Sequence, residues 1–177
     1  MKRLGILRHA KSDWDDMSLR DFDRGLNARG RKGAALMGAH IVEQGSAWDM
    51  VLASPAERVK RTLEASGLNL PVRFEENAYL ADATTLMRLL STCDDDAEGV
   101  LLMGHNPGLQ ELALDLVSPQ QENALFDEVV QKFPTAAFAV LELEIAHWAE
   151  LQSGCGRLVH FARPRDLDPE LGPQRVS

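Results

Sequence analysis

Short apolar runs that stop abruptly at polar or turn-forming residues, each followed by a helical stretch, constrain this chain more than any other feature. Gly99 to Met103 (Gly-Val-Leu-Leu-Met) is the clearest buried strand, breaking at Gly104 and leading through His105-Asn106-Pro107-Gly108 into a helix from about Leu109 to Leu116. Residues 3–8 form a similar run, too short for a helix, that opens a strand almost at the N-terminus. Met50-Val51-Leu52-Ala53 is a third, ended by Ser54-Pro55, which predicts a helix to about Ser66 with Ser54 as N-cap and Pro55 in the first turn. Asn27 is placed to cap a helix whose apolar positions Ala35, Leu36, Ala39 and Val42 recur at helical spacing until Gly45 stops it.

The remaining elements are weaker. Val72-Arg73-Phe74 predicts a short strand, and Thr84 to Leu90 a helix ahead of the acidic turn Asp94-Asp95-Asp96. Residues 13–25, rich in Asp and Arg, read as a solvent-exposed loop, and 118–134 as a polar insertion with helix near Leu125 to Val130. Ala136 to Leu143 and Leu158 to Ala162 predict two late strands joined near Trp148, and the proline-containing tail from Pro164 reads as irregular. Strands alternating with helices imply an α/β fold: a three-layer sandwich with a mostly parallel central sheet flanked by helices.

Bulk properties narrow the function. A chain of 177 residues with 45% hydrophobic and 26% charged residues suits one domain whose core needs neither disulfide nor structural metal. Cys93 and Cys155 lie far apart without metal-ligand spacing, so they read as core residues or free thiols of a reducing compartment. The net charge of −8 argues against broad binding to nucleic acid or to an anionic membrane. The N-terminal apolar stretch is too short for a signal peptide, and no run approaches the ~20 apolar residues of a membrane span, so a cytoplasmic location is expected.

Chemistry concentrates at three strand ends. Arg8-His9 closes the first strand, Arg58 lies in the first turns of the helix after the second, and His105 follows the strand at 99–103. In open parallel sheets the carboxyl ends of strands share one edge, where ligands bind. Two arginines supply planar charged forks for a phosphoryl group's oxygens, and helix N-termini can add backbone N–H groups. A neutral imidazole is a competent nucleophile, and a second one beside it could be protonated and donate to the transferred group. No metal or cofactor is required. Each element has a plainer reading: Arg8-His9 as a surface pair, Arg58 as a solvated helix face, and His105 as part of a turn. Their joint occurrence at strand ends favours a site.

At these residues the chain resembles the histidine phosphatase superfamily, and within it the SixA-type phosphohistidine phosphatases. Leu7-Arg8-His9-Ala10-Lys11-Ser12 is similar to the family's Arg-His-Gly motif, with Ala10 in place of glycine. Ser54-Pro55-Ala56-Glu57-Arg58-Val59-Lys60-Arg61-Thr62 resembles its Ser-Pro-x-x-Arg-x-x-x-Thr segment, and Gly104-His105-Asn106-Pro107 its second-histidine motif. Leu26 to Gly30 is similar to the segment opening the family's first helix. The resemblance covers residues 4 to about 110 and implies a phosphoglycerate mutase-like fold over a single domain, 1–177, with 164–177 as an irregular tail. It also implies that His9 is the nucleophile and that Arg8, Arg58 and His105 are catalytic and bind the phosphoryl group, with Asn106 as a further pocket residue.

The resemblance implies a metal-independent hydrolase acting through a covalent phosphohistidine. Its substrate would be a phosphorylated protein, for instance a histidine-phosphotransfer domain, or else a small phosphate ester; a non-catalytic phosphate-binding module is the third reading. The general-acid carboxylate of mutase-like members has no clear counterpart: Glu75, Glu76, Asp82, Asp13, Asp15 and Asp16 read as surface groups. A phosphoramidate leaving group can take its own proton, which favours phosphohistidine. Lys11 and Ser12 follow the nucleophile without an assigned role, and His40, His147 and His160 read as structural or surface residues.

Overall fold

The computed structural model describes residues 1–173. Six strands form one sheet: β1 (Lys2–Arg8), β2 (Met50–Ala53), β3 (Val72–Phe74), β4 (Gly99–Gly104), β5 (Phe138–Leu143) and β6 (Gly156–Ala162), in the order β3-β2-β4-β1-β5-β6. The pairs β3–β2, β2–β4 and β4–β1 are parallel, whereas β5 runs antiparallel to both β1 and β6. Six α-helices cover the sheet: α1 (Ala28–Gln44), α2 (Glu57–Ser66), α3 (Ala83–Leu90), α4 (Gly108–Leu116), α5 (Ala124–Gln131) and the short α6 (Pro164–Leu167). The mostly parallel, three-layer arrangement expected from the alternation of strands and helices is present.

Strand side chains alternate between the two faces, and each face has its own core. On one, Leu4, Ile6, Val100 and Leu102 meet Leu86 and Leu90 of α3, Leu109, Leu112 and Leu116 of α4, and Val129 of α5. On the other, Leu7, Val51, Leu101, Met103 and Phe138 meet Met37 and Ile41 of α1 and Val59 of α2. The β4 side chains on both faces are fully buried, which explains why that run was the plainest strand in the sequence.

The caps at both ends of α1 follow the sequence, the cap of α2 departs from it, and that of α3 was not foreseen. Asn27 caps α1 by accepting from the Gly30 amide at 2.8 Å, and Gly45, in the left-handed region at φ 86°, ends the helix. Asp82 caps α3 by accepting from Thr85 N. Ser54 does not cap α2: the helix starts later, with Ala56 at the N-cap, and the Ser54 hydroxyl is fully buried against His105. The hydroxyl still accepts locally, from the Ala56 amide at 3.2 Å, but that bond precedes the first turn of α2.

Three further expectations need correction. The segment 13–25 is more than a solvated loop: it holds a 3-10 turn at Asp21–Asp23 and a buried arginine, Arg24, whose guanidinium donates to the Asp16 and Leu19 carbonyls at 2.9 and 3.0 Å. The tail is not irregular from residue 164. Pro164 sits at the first turn of α6, Asp166 reaches back to the Arg163 amide, and Asp168 caps a 3-10 turn at Pro169–Leu171. Prolines there start turns, their fixed φ and missing N–H costing nothing at a helix opening; residues 174–177 of the expected tail lie outside the described residues. β5 also starts later than expected, because Ala136 has a φ of 58° that a strand cannot accommodate.

Helices α1 and α2 are in close contact at Gly38, where an added Cβ would lie 1.9 Å from the Ser66 carbonyl oxygen. Gly38→Ala is therefore expected to force the two helices apart and to cost about 1–3 kcal/mol, read as a lower urea midpoint at unchanged slope; an unaltered midpoint would show that the contact yields freely.

Candidate active site

Strand register builds the site. In β1 and β4, Arg8 pairs with Gly104, and in β2 and β4, Ala53 pairs with Met103. His9, Ser54 and His105 therefore leave the sheet side by side, and His9 N still donates to the Gly104 carbonyl while Ser54 N donates to that of Met103, both at 3.1 Å. The two imidazoles lie with ring centroids 5.3 Å apart and planes inclined at 51°. His9, Arg58 and His105 are only 7%, 5% and 3% exposed, so none is the surface residue that its motif could have been alone.

Hydrogen bonding sets which nitrogens are free. His9 Nδ1 lies 2.7 Å from the Ala10 carbonyl oxygen, which only accepts, so Nδ1 carries the hydrogen and Nε2 keeps its lone pair. His105 Nε2 lies 2.8 Å from the Ser54 hydroxyl, which already accepts from the Ala56 amide. With the Ser54 hydrogen directed to Nε2, the neutral His105 ring carries its proton on Nδ1. That nitrogen is buried and without a partner among the described residues, as is Arg8 Nε. Unpaired buried polar atoms are costly, and these two belong to residues that neighbour the His9 ring.

The supports come from distant segments. Thr62, one turn along α2, accepts from the Ala10 amide at 2.9 Å and donates to the Arg58 carbonyl at 2.7 Å, tying the turn after His9 to the arginine's helix. The Phe133 carbonyl accepts from Arg8 at 3.1 Å and from Asn106 Nδ2 at 2.8 Å, and Ala136 N donates to the Arg8 and His9 carbonyls. The 118–134 segment, whose function the sequence left open, thus ends by holding Arg8. Asn106 Oδ1 accepts from Gln110 N at 3.2 Å, so both ends of its amide brace the turn into α4.

Two participants were absent from the sequence reading. Asp21 accepts from the Arg58 guanidinium through both its carbonyl, at 2.8 Å, and its carboxylate, at 3.0 Å, and the Tyr79 hydroxyl donates to the same carboxylate oxygen. Tyr79, the chain's single tyrosine, stands edge-on to His105 with centroids 5.4 Å apart. No periodicity or motif marks either residue; only folding brings the 13–25 segment over α2. The carboxylates that were considered as acids lie elsewhere: Asp82 caps α3, Glu75 pairs with Arg73, and Asp13 and Asp16 close local turns. Lys11 lines a cavity next to Arg8, and Ser12 accepts from the Trp14 indole at 2.9 Å. His147 pairs with Asp95 and His40 with His160, away from this cluster, and both cysteines are free thiols.

Burial, then the neighbouring Arg8 and Arg58, holds the His9 ring's pKa down at about 4; burial, Arg58 and His9 hold that of His105 at about 3. Both rings are neutral at pH 7, which suits a nucleophile. It differs from the expected protonated His105, although the neutral ring still has Nδ1–H to donate. Burial raises the pKa of the Asp21 carboxyl, but hydrogen bonds from Tyr79 and Arg58 outweigh it and leave the group ionised. Burial lowers the Arg8 pKa, with Arg58 adding repulsion. Two cations and a single carboxylate leave the cluster attractive to an oxyanion. Among the described residues no group of three His, Cys, Asp or Glu side chains is spaced to hold a metal ion, and no helix is long and apolar enough to cross a membrane.

Strand-end imidazoles beside a buried Arg58 and a half-buried Arg8 on a mostly parallel sheet make an arrangement suited to a phosphoryl group, and comparison with known proteins gives a phosphatase family. The model of the histidine phosphatase superfamily (branch 1) matches residues 4–84. An uncharacterized protein of Mycobacterium tuberculosis is 36% identical over 160 residues, covering 90% of this chain and 100% of that protein. Among solved structures, the candidate phosphohistidine phosphatase SixA of Nakamurella multipartitia superposes with a TM-score of 0.81 at 27% identity, covering 92% of this chain and 96% of that one. Its counterpart from Agrobacterium tumefaciens gives 0.76 at 27%, covering 92% and 98%. The chain belongs to the histidine phosphatase superfamily and is of the SixA type.

Two measurements follow. Histidines of the unfolded chain titrate near ~6.5, above the folded values of His9 and His105, so unfolding takes up protons and the stability these rings contribute is intact above that pH and lost as pH falls toward about 4 and about 3. The urea midpoint is expected to drop between pH 7.5 and pH 4.5, and less steeply in His105→Gln; equal slopes would contradict burial of a neutral ring. Asp21→Asn, which keeps the shape and removes the charge beside Arg58, is expected to tighten orthovanadate binding about three- to tenfold, measured by calorimetry; weaker binding would show that the carboxylate helps to hold the anion.

Proposed function

We propose that this phosphatase removes phosphoryl groups from phosphohistidine on proteins, through a covalent intermediate on His9. The observation that carries the reading is the pairing of a lone-pair-bearing His9 Nε2 with a second buried imidazole and two arginines. Nε2 forms the bond to phosphorus as the bond to the leaving nitrogen breaks; that nitrogen keeps the bonding pair, and the substrate imidazole departs neutral because its other ring nitrogen carries the proton. Water then attacks phosphorus and breaks the His9 N–P bond, regenerating the neutral ring and releasing inorganic phosphate. Arg8, Arg58 and the Nδ1–H of His105 bind the equatorial oxygens, and preorganised donors of this kind typically contribute a few kcal/mol each in the transition state. The Ala10 carbonyl keeps His9 in the reactive tautomer and stabilises positive charge as the ring is phosphorylated.

The leaving group decides between a phosphoramidate and an ester. An ester oxygen leaves as an alkoxide and needs a general acid. Asp21 is the carboxylate joined to Arg58 and coupled to both imidazoles, and it is held ionised by Tyr79 and Arg58. A phosphohistidine ring protonated on its other nitrogen leaves as neutral imidazole, so it has little need of a donor. The SixA relatives carry the same substrate in their names, which supports the reading.

His9→Ala is expected to lower turnover of a phosphohistidine protein by at least about 10³-fold, with the circular dichroism spectrum unchanged, and to abolish acid-labile phosphate on the rapidly quenched enzyme. Full activity in that variant would remove His9 as nucleophile. Arg58→Ala is expected to cost about 10²–10³-fold in kcat/KM. Wild-type rates are expected to be higher on a phosphohistidine protein than on any of a panel of sugar and aryl phosphate esters; the reverse order would point to a small-molecule phosphomonoesterase.

A further inference from the structure

A cavity of about 380 Å³ opens beside the nucleophile's turn, sharing Arg8 and Ala10 with it. Its wall carries Arg8, Lys11, Arg29, Lys132, Arg163 and Arg165, and no carboxylate of the described residues lines it. These cations come from separate segments: the end of β1, the first turn of α1, the end of the α5 loop, and the start of α6. Arg163 is paired with Asp166 at 3.0 Å, while none of the other five forms an ion pair among the described residues. Arg29 donates to the Glu170 and Gly172 carbonyls at 3.0 and 2.9 Å, which fixes its guanidinium, and its Nε is buried without a partner.

On a chain of net charge −8, such a concentration of one sign within a concavity is opposed by mutual repulsion. A solvated face would spread these charges or interleave them with carboxylates, as α2 does with Glu57, Arg61 and Glu64. An oxyanion in the cavity relieves the repulsion, and arginine forks suit its planar or tetrahedral oxygens. The volume falls in the range of ligand pockets, ~300–1,000 Å³.

We propose that this cavity is a second anion site, taking a phosphate or carboxylate group carried by the same molecule that presents its phosphoryl group to His9. The first half of that statement stands on the cavity alone; the identity of the shared molecule rests on the phosphatase reading above. Arg8 links the two sites, with its NH1 fixed on the Phe133 carbonyl and its side chain on the cavity wall. The substrate is then polyanionic, either through a further phosphate or through acidic side chains near the phosphorylated residue.

Isothermal titration calorimetry of the full chain at low salt, with tripolyphosphate and with a hexaglutamate peptide, tests this without turnover and so separates its failure from failure of the phosphatase reading. At least one ligand is expected to bind, and Lys132→Ala/Arg165→Ala to weaken it by at least tenfold. Lys60→Ala/Arg88→Ala, with the same charge change outside the cavity, is expected to leave the affinity within twofold. Arg58→Ala is expected to retain binding. Tighter tripolyphosphate assigns a second phosphate, and tighter hexaglutamate an acidic segment. The proposal is overturned by no binding of either, by a cavity variant within twofold of wild type, by an equal loss in the remote variant, or by a loss in Arg58→Ala matching that of the cavity variant.

Discussion

The parallel pairing of β1 and β2 on either side of β4 is the constraint from which the rest of the molecule follows. With Arg8 opposite Gly104 and Ala53 opposite Met103, three chain segments leave the sheet at one level and in adjacent positions. Every strand end there is anchored by a hydrogen bond to its neighbour's backbone, so the turns that carry His9, Ser54 and His105 start from fixed points. A register slip of one residue in any pair would turn a histidine to the opposite face and disperse the cluster. Core burial on both faces of the sheet makes such slips expensive, and the stability of the apolar layers becomes precision at the strand ends.

That precision serves an electrostatic arrangement that a looser scaffold could not hold. Two arginines and two imidazoles close together repel when all are charged. The structure answers by keeping both rings neutral through burial and by bracing the cations on backbone carbonyls, Phe133 for Arg8 and Asp21 for Arg58. The outcome is a neutral imidazole with a free lone pair within a field that favours an anion. Asp21 occupies a double position, orienting Arg58 and opposing the charge that Arg58 attracts. The antiparallel β5 contributes as well: the turn leading into it supplies the donor at Ala136 and the acceptor at Phe133, so a strand with no motif residue still holds the catalytic edge in place.

Much of the fold and the centre of the site were readable in the residue order, for a local reason. A strand end, the polar turn after it and the helix that follows lie within a dozen residues of one another, so Leu7-Arg8-His9, Ser54-Pro55 and Gly104-His105-Asn106-Pro107 announced themselves. The parts that could not be read depend on contacts across the chain. Asp21 meets Arg58 thirty-seven positions away, and the Phe133 carbonyl meets Arg8 at a separation of 125. Ser54 is a mixed case: its neighbours suggested a helix cap, and its hydroxyl does accept from the Ala56 amide, but its bond to a histidine 51 residues on could not be read locally. The tail misled for a different reason, since its prolines open turns as readily as they prevent helices.

Taken alone, the order of residues determined the alternation of strand and helix, the apolar layers, and the identity of the side chains that can act on a phosphoryl group, because these depend on periodicity and on chemistry carried within short segments. Tertiary structure decided which nitrogens are free, which protonation states hold at neutral pH, which carboxylate approaches the arginine, and where the remaining cations gather. Those properties arise from burial and from distances between segments remote in the chain, quantities that exist only after the sheet has closed.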